Sequence, residues 1–399
     1  MRLSVVITLF FLVVSVIYDV NPLLIPVMQA IDQKSLDLKF KFRGPRTPKS
    51  KIVIVTADEK AFQTFGQWPF DRGTVFAPLL TKVCGFEPKA FGLDIVWTDP
   101  ESRMPLGVKK AIGQMLGPKA SSLEDVIVKN SGDSLLRKAV ENCKGRLVMG
   151  YALIPDKQGG LPEAEFLKRL NYVVEANNTL DTRVRGEPKY GRYIGDPEAN
   201  VDFYSVAETG LMNLPSITPP NTAQGFFNNE ADNDGNYRRG LLFYKAGEFF
   251  YPSLTLRMAS KAMSPGDKRP KLFIQPDEPA KGKSQVVRLE IITQEELKRV
   301  PTDNRGQAIV NFRGPNNMFP NVSMSDVLDS KDYVEYETYN VAGSLEHHKV
   351  TKIELFKDAL VLFGVTAIGL YDIRPRPFDP SASGVENHAS ILENIVNDD

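Results

Sequence analysis

The sequence predicts an α/β protein with a largely parallel or mixed sheet, helices on both faces, a long surface insertion and an N-terminal transmembrane helix. Three observations lead there. Apolar, β-branched runs without alternation recur at 51–59 (KIVIVTADE), 90–97 (AFGLDIVW), 146–153 (RLVMGYAL) and 358–367 (DALVLFGVTA), the pattern of strands covered on both faces. Segments with helical spacing separate the first three runs, which implies parallel pairing through right-handed crossovers. Residues Leu3 to Tyr18 carry no charge.

Taken in order, DQKSLDLKFKFRGPRTPKS (32–50) reads as a helix followed by a Pro/Gly/basic loop. Residues 73–86 have helical spacing despite Pro78, and 133–145 form a helix closed by Gly145. From about 155 to 222 the chain is rich in Pro, Asn, Gly and charge, the composition of an insertion running over the surface with short helices at best. Residues 224–246 read as two strands joined by a DNDGN turn, the Asp-Gly hairpin signal. A helix follows at 251–262 with Pro252 in its first turn, then strands at 286–291 and 307–314. An amphipathic helix at 384–396 closes the chain, and no internal repeat is visible.

The uncharged stretch 3–18 is sixteen residues long. As a helix it covers roughly 24 Å, close to the ~30 Å of a bilayer core once it continues past Asp19. A cleaved signal peptide is the rival, but Ser15-Val16-Ile17 and Met28-Gln29-Ala30 each fail one position of a small-x-small cleavage site. An uncleaved anchor is therefore expected. Arg2 holds the N-terminus in the cytoplasm and places the rest outside. The expected location is a cell membrane, with residues after about 28 outside the cytoplasm.

Composition narrows the function. Lys+Arg and Asp+Glu both number 49, so the formal net charge is zero, whereas a general nucleic-acid binder needs a basic surplus. Walker loops, HExxH, GxSxG with a triad and paired CxxC are absent. The three histidines are scattered, and His347-His348 sits in an exposed-looking stretch. EADNDGN (230–236) resembles a calcium loop, but its twelfth position, which should be a bidentate Glu, is Leu241. No metal, cofactor or nucleic acid is expected. The two cysteines, Cys84 and Cys143, are expected as buried free thiols, with a disulfide open in an oxidising compartment.

Polar residues at strand ends are the site candidates. Asp58 and Glu59 end the first strand, Asp94 lies within the second, and Thr366 ends the last. Ligands of parallel α/β sheets bind beyond the carboxyl ends of the strands. An Asp inside an apolar strand also needs a partner, for which Arg72, Arg238 and Arg374 are available. An internal charge network and ligand contact both account for these residues.

Four blocks in order resemble the type-2 CHASE domain, an extracytoplasmic sensory module found ahead of bacterial adenylate/guanylate cyclases and sensor kinases. The first is IVIVTADEKAFQTFGQWPFDRGTVFAPLL, with Asp58, Glu59, Gly66, Trp68, Pro69 and Arg72; the second is AFGLDIVWTDPE, with Asp94. The third is GFFNNEADNDGNYRRGLLFYKAGEFFYPSLTLRMA, with Asp232, Asp234, Gly235 and Arg238. The fourth is LVLFGVTAIGLYDIRPRPFDPSASGVENHASILENIV, with Gly364, Thr366, Asp372, Gly384, Glu386 and His388. Arg376 stands where the family pattern has a Thr before Pro377, and 155–222 matches nothing in the pattern.

The resemblance implies a non-catalytic input domain that controls a cytoplasmic nucleotide cyclase or kinase, works as a homodimer and senses an unknown small molecule or protein. It divides the chain into a membrane anchor (1–28), a juxtamembrane helix and linker (29–50) and a sensory domain (51–396, with the 155–222 insertion). The family usually continues into further membrane helices and an output domain, which these 399 residues do not include; a trimmed chain and a stand-alone sensor are both open. The ligand-binding or structural-network candidates are Asp58, Glu59, Trp68, Arg72, Asp94, Arg238, Thr366, Asp372 and His388. The alternative is a stand-alone, membrane-anchored envelope scaffold. A hydrolase using Asp58, Glu59 and Asp94 has no nucleophile–base pair behind it.

Overall fold

The structure is a computed structural model that describes residues 25–101, 114–115, 131–143, 145–156, 158–175, 178–184, 205–264, 269–276, 284–292, 297–303, 305–367 and 373–397. The apolar stretch 3–18 lies outside the described residues, as does Asp372. Among the described residues no helix is long and apolar enough to cross a membrane. The first described helix, α1 (Ile25–Arg43), ends at Gly44, whose φ of +73° suits a residue without Cβ and whose amide donates to Phe40 O.

Chain order then alternates strand and helix. β1 (Ile52–Ala57) is buried throughout and leads into α2 (Glu59–Phe65). A π-helical turn (Arg72–Phe76) runs directly into α3 (Ala77–Gly85), which tolerates Pro78 because its first turn needs no amide there. β2 (Ala90–Leu93), α4 (Gly132–Asn142) and β3 (Leu147–Ile154) follow. Beyond them come α5 (Glu163–Glu175), β4 (Asp181–Val184), β5 (Thr209–Leu211), β6 (Ala223–Phe226), β7 (Arg239–Leu241), β8 (Phe243–Ala246), β9 (Phe249–Pro252) and α6 (Leu254–Met263). β10 (Lys271–Pro276), β11 (Ser284–Ile292), β12 (Leu297–Val300), β13 (Gln307–Ile309), β14 (Asn321–Ser323) and α7 (Met324–Leu328) come next. The last elements are β15 (Tyr333–Tyr339), β16 (Leu345–Thr351), α8 (Lys352–Phe356), β17 (Leu360–Val365) and α9 (Gly384–Asn397).

The main sheet has seven strands in the order β14-β1-β17-β2-β3-β5, with β6 also paired to β3. Every pairing is parallel except β3 with β5, so the sheet is mixed. Alternation along the strands splits the core. Val53, Val55, Phe91, Leu93, Val361 and Phe363 face α2, α3 and α4, whereas Ile52, Ile54, Ala90, Leu360 and Leu362 face α6 and α9. Helices therefore cover both faces. A Cβ on Gly225 would lie 2.8 Å from the backbone of Leu254, so β6 meets the start of α6 only because that position has no side chain.

Several expectations need correcting. The second strand stops at Leu93, not at Trp97, because the backbone of Trp97 turns away to pair with Asn213 and Leu214. Asp94 is therefore a residue beyond the strand. The first strand ends at Ala57; Asp58 caps α2 and Glu59 is its first residue. The insertion 155–222 is no mere surface excursion. It contributes α5, thirteen residues long with Phe166, Arg169, Leu170 and Val173 buried at helical spacing, and adds β5 to the main sheet. The strands flanking DNDGN do not form a hairpin: β6 pairs with β3 and β7 with β13. The expected strand 307–314 shrinks to β13, and His347-His348 lies in a strand, β16, of a hairpin with β15. Finally, Cys84 and Cys143 are joined in a disulfide between α3 and the end of α4, where free thiols were expected. Both helices pack on the same face of the sheet, which brings the two sulfurs together.

Candidate functional site

The carboxyl ends of β2, β6 and β17 open onto a cavity of about 230 Å³ lined by Asp94, Phe227, Asn228, Asn229, Val365, Arg374, Gly384, Asn387 and His388. Its place follows from the topology, since the loops leaving parallel strands diverge there. Asp94 leaves β2 with its amide still donating to Phe363 O (2.9 Å), which holds the carboxylate at the mouth of the sheet. Asn228 fixes the opposite wall by exchanging hydrogen bonds with the backbone of Leu153: it accepts from the amide at 2.9 Å and donates to the carbonyl at 2.6 Å. Asn229 Oδ1 accepts from Leu241 N.

The remaining wall is the first turn of α9 and the segment before it. Gly384, Asn387 and His388 sit at i, i+3 and i+4 and so share one helical face. A Cβ on Gly364 would lie 2.6 Å from Val385 Cβ, so a side chain at 364 would push this turn away from the sheet. His388 is buried, and its Nε2 lies 3.6 Å from Asp94 Oδ2. Asn387 Oδ1 accepts from Arg376 Nη1, while its buried Nδ2 has no partner among the described residues. Arg374 stacks its guanidinium over Tyr237 at 4.8 Å and donates from Nη1 to the Tyr237 hydroxyl.

A family model described as the CHASE2 domain matches residues 6–399. The chain belongs to the CHASE2 family. CHASE2 domains are sensory modules of signalling proteins and not catalytic ones. No match was found among curated proteins or among solved structures.

Among the described candidates, Asp94 and His388 meet in the cavity. Asp58 instead accepts from Ala61 N at 3.0 Å and from Ser323 Oγ at 2.6 Å, which ties α2 to β14. Glu59 is exposed in the first turn of α2. Trp68, preceding a cis peptide to Pro69, packs its ring against Phe62, Phe70 and Phe76. Arg72 donates from Nη2 to Asp99 O and pairs through Nη1 with Asp133, joining a loop to α4. Thr366 is half-buried, and its amide donates to Ala57 O. Of the arginines considered for Asp94, only Arg374 reaches the same cavity. Phe227, Asn228, Asn229 and Asn387 were not among the candidates. The pair Asn228-Asn229 directly after the apolar end of β6 is the one sequence signal that marks them.

Arg238 stands outside the cavity and serves as a clamp. Its side chain is 1% exposed, and it donates to both oxygens of Asp37 (2.7 and 2.8 Å), to Asp232 (2.9 Å) and to Asp234 (2.8 Å twice). Two carboxylates of the calcium-like loop are thus taken by arginine, with Arg239 on the other oxygen of Asp232, while Glu230 accepts from the Tyr244 hydroxyl. Hydrogen bonds from Arg238 hold the Asp234 carboxyl well below the usual range. Asp37 belongs to α1, so the clamp fastens the first helix to the domain, with Phe40 packed beside Phe312 and Phe378.

The last helix is fastened in turn to the linker after α1. Glu393, fully buried, accepts from Lys49 N (2.6 Å), Ser50 N (3.1 Å) and Arg313 Nη2 (3.0 Å). Near the cavity end, burial raises the Glu386 carboxyl, with Arg376 at 3.6 Å opposing that shift. Arg376, the departure from the family pattern, is thereby accounted for: it faces Glu386 and lies over the Phe312 ring.

Proposed function

We propose that this CHASE2 domain is the extracytoplasmic input of a bacterial transmembrane signalling protein, and that occupancy of the cavity biases the position of its terminal helices. The observation that carries the reading is one helix serving both ends of the relay. α9 lines the cavity with Asn387 and His388 and holds the linker after α1 through Glu393. A second route runs from Arg374 through Tyr237 to its neighbour Arg238 and so to Asp37 on α1. A ligand shifts such an equilibrium only by its difference in affinity for the two states.

An anchor at 1–28 and a periplasmic location suit the uncharged run 3–18 behind Arg2. The Cys84–Cys143 disulfide suits an oxidising compartment as well. The relay is read as working in a homodimer, with a cytoplasmic cyclase or kinase as the output. The test uses the full chain in membranes: protease added outside spheroplasts should digest residues beyond the anchor, and a ligand found by thermal shift should change the spacing between spin labels on α1. Protection from external protease, or bound ligand with unchanged label spacing, would remove the sensor reading.

A stand-alone envelope scaffold is the second reading. It is favoured by a separate groove of about 480 Å³ whose lining includes Val300, Ile309, Val310, Ile391 and Ile395, with Ile309 57% exposed. Partner capture abolished by Ile309→Asp, together with no small-molecule thermal shift, would support it.

A further inference from the structure

Resting on the sensory reading, we propose that a second copy of this chain docks on the outward face of α1, where a stripe of Val27, Ile31, Leu38 and Phe42 meets its own counterpart across a two-fold axis. α1 is fastened to the domain along one face only. Phe40 is 5% exposed, Leu36 packs beside the core, and Asp37 is held by Arg238. The four stripe residues are 54%, 56%, 53% and 88% exposed. No other described helix or strand leaves more than one large hydrophobic residue exposed.

Their spacing makes a line. At about 100° per residue the four side chains fall within an arc of about 60°, on the far side of the helix from Leu36 and Phe40. Val27 and Leu38, like Ile31 and Phe42, stand eleven residues apart, a repeat that keeps a stripe nearly parallel to the axis of a helix. From Val27 to Phe42 it runs about 22 Å. By holding Asp37, Arg238 fixes the rotation of α1 and turns this face outwards.

Possible occupants differ in what they require. Hydrocarbon does not suit the whole stripe, because Asp32, Lys34, Asp37, Lys39, Lys41 and Arg43 lie on the same stretch of helix, and charged side chains are strongly disfavoured at that depth. An unrelated partner would need a matching apolar line. A second copy brings one by symmetry. Two chains that enter the same membrane by their N-termini hold α1 parallel and at equal height, so each stripe residue faces its own equivalent. The exposed apolar area is roughly 500 Å² per copy, so a pair buries about 1,000 Å² at most, the lower limit for a specific interface. Confinement to one membrane raises the effective concentration and makes so small an interface sufficient.

Cysteine cross-linking of the full chain in membranes tests this, since Cys84 and Cys143 are already paired with each other. Ile31→Cys, Leu38→Cys and Phe42→Cys are compared with Asp32→Cys and Lys39→Cys, exposed positions off the stripe. Roughly tenfold more disulfide-linked dimer is expected on the stripe than off it, because only stripe residues face their own counterparts. Adding Leu38→Asp and Phe42→Asp to Ile31→Cys should abolish that dimer and leave the urea midpoint unchanged, since neither side chain is buried within one copy. Equal cross-linking at all five positions, or a dimer that survives the two aspartates, would overturn the proposal. Stripe cysteines that stay monomeric would do so too: reaction with a membrane-impermeant maleimide would show an open surface, and protection from it would show cover by lipid or by another part of the chain. Failure here is distinguishable from failure of the sensory reading. Ligand-driven movement of α1 in a chain that stays monomeric overturns only this inference, and a stripe-linked dimer in which bound ligand leaves α1 unmoved overturns only the relay.

Discussion

Replacing Arg238 with Ala removes the cation that three carboxylates share. Asp37, Asp232 and Asp234 have side chains 15%, 9% and 27% exposed, and all converge on a guanidinium that is 1% exposed. Lys34 reaches Asp37 and Asp234, and Arg239 reaches Asp232, each from a more exposed position. Breaking a buried pair by deleting one partner costs about 3–5 kcal/mol. Partial solvation of the acids places this case at the lower end, so a loss of about 3 kcal/mol is expected in urea unfolding. Five short donations end with the substitution, two of them to α1, so that helix should separate from the domain before the rest unfolds. Asp37→Asn in the Arg238→Ala background should then add almost nothing, whereas alone it should be clearly destabilising. Equilibrium unfolding of the four proteins of that cycle measures the coupling. A loss below about 1 kcal/mol for Arg238→Ala, or two single losses that simply add, would show that the clamp does not bear on stability as argued.

Three further outcomes are expected. Asp234, whose folded carboxyl titrates below its ordinary value of 3.8 because Arg238 donates to it, contributes stability that is present above that value and lost as pH falls below it. The advantage of wild type over Asp234→Asn in denaturant midpoints should therefore shrink below about pH 4. Glu386 has the opposite sign: burial raises its carboxyl above 4.5, so its contribution is full below that value and lost as pH rises through the folded value. The difference between wild type and Glu386→Gln should move in favour of wild type as pH is lowered towards 4.5. The disulfide closes a sequence separation of 59 residues, for which loop entropy gives about 4 kcal/mol. Paired Cys84→Ser and Cys143→Ser substitution should cost that order in urea unfolding, and adding a thiol reductant to the variant should change nothing more.

Local patterns along the chain carry part of this fold unaided. Unbroken apolar runs at 52–57, 147–154 and 360–365 announce strands covered on both faces, because no other environment accepts so many consecutive β-branched and aliphatic side chains. Asp94 was legible as a candidate because a polar residue next to such a run must find a partner, and His388 through the resemblance of the closing block. Contacts between distant segments were not legible. DNDG reads as a hairpin turn, but Arg238 draws its carboxylates towards α1, with Asp37 lying 201 positions away in sequence, and β6 finds a better-buried partner in β3. Cys84 and Cys143 carry no spacing signal; only the packing of α3 beside α4 brings them within bonding reach. Asn387 looked like one more polar position on an amphipathic helix. Its surroundings were decided by the tertiary structure, with Arg376 donating to its Oδ1 and the residue lining the cavity where α9 meets the sheet. Periodicity reports which face of an element is buried, and only the assembled layers decide what that face meets.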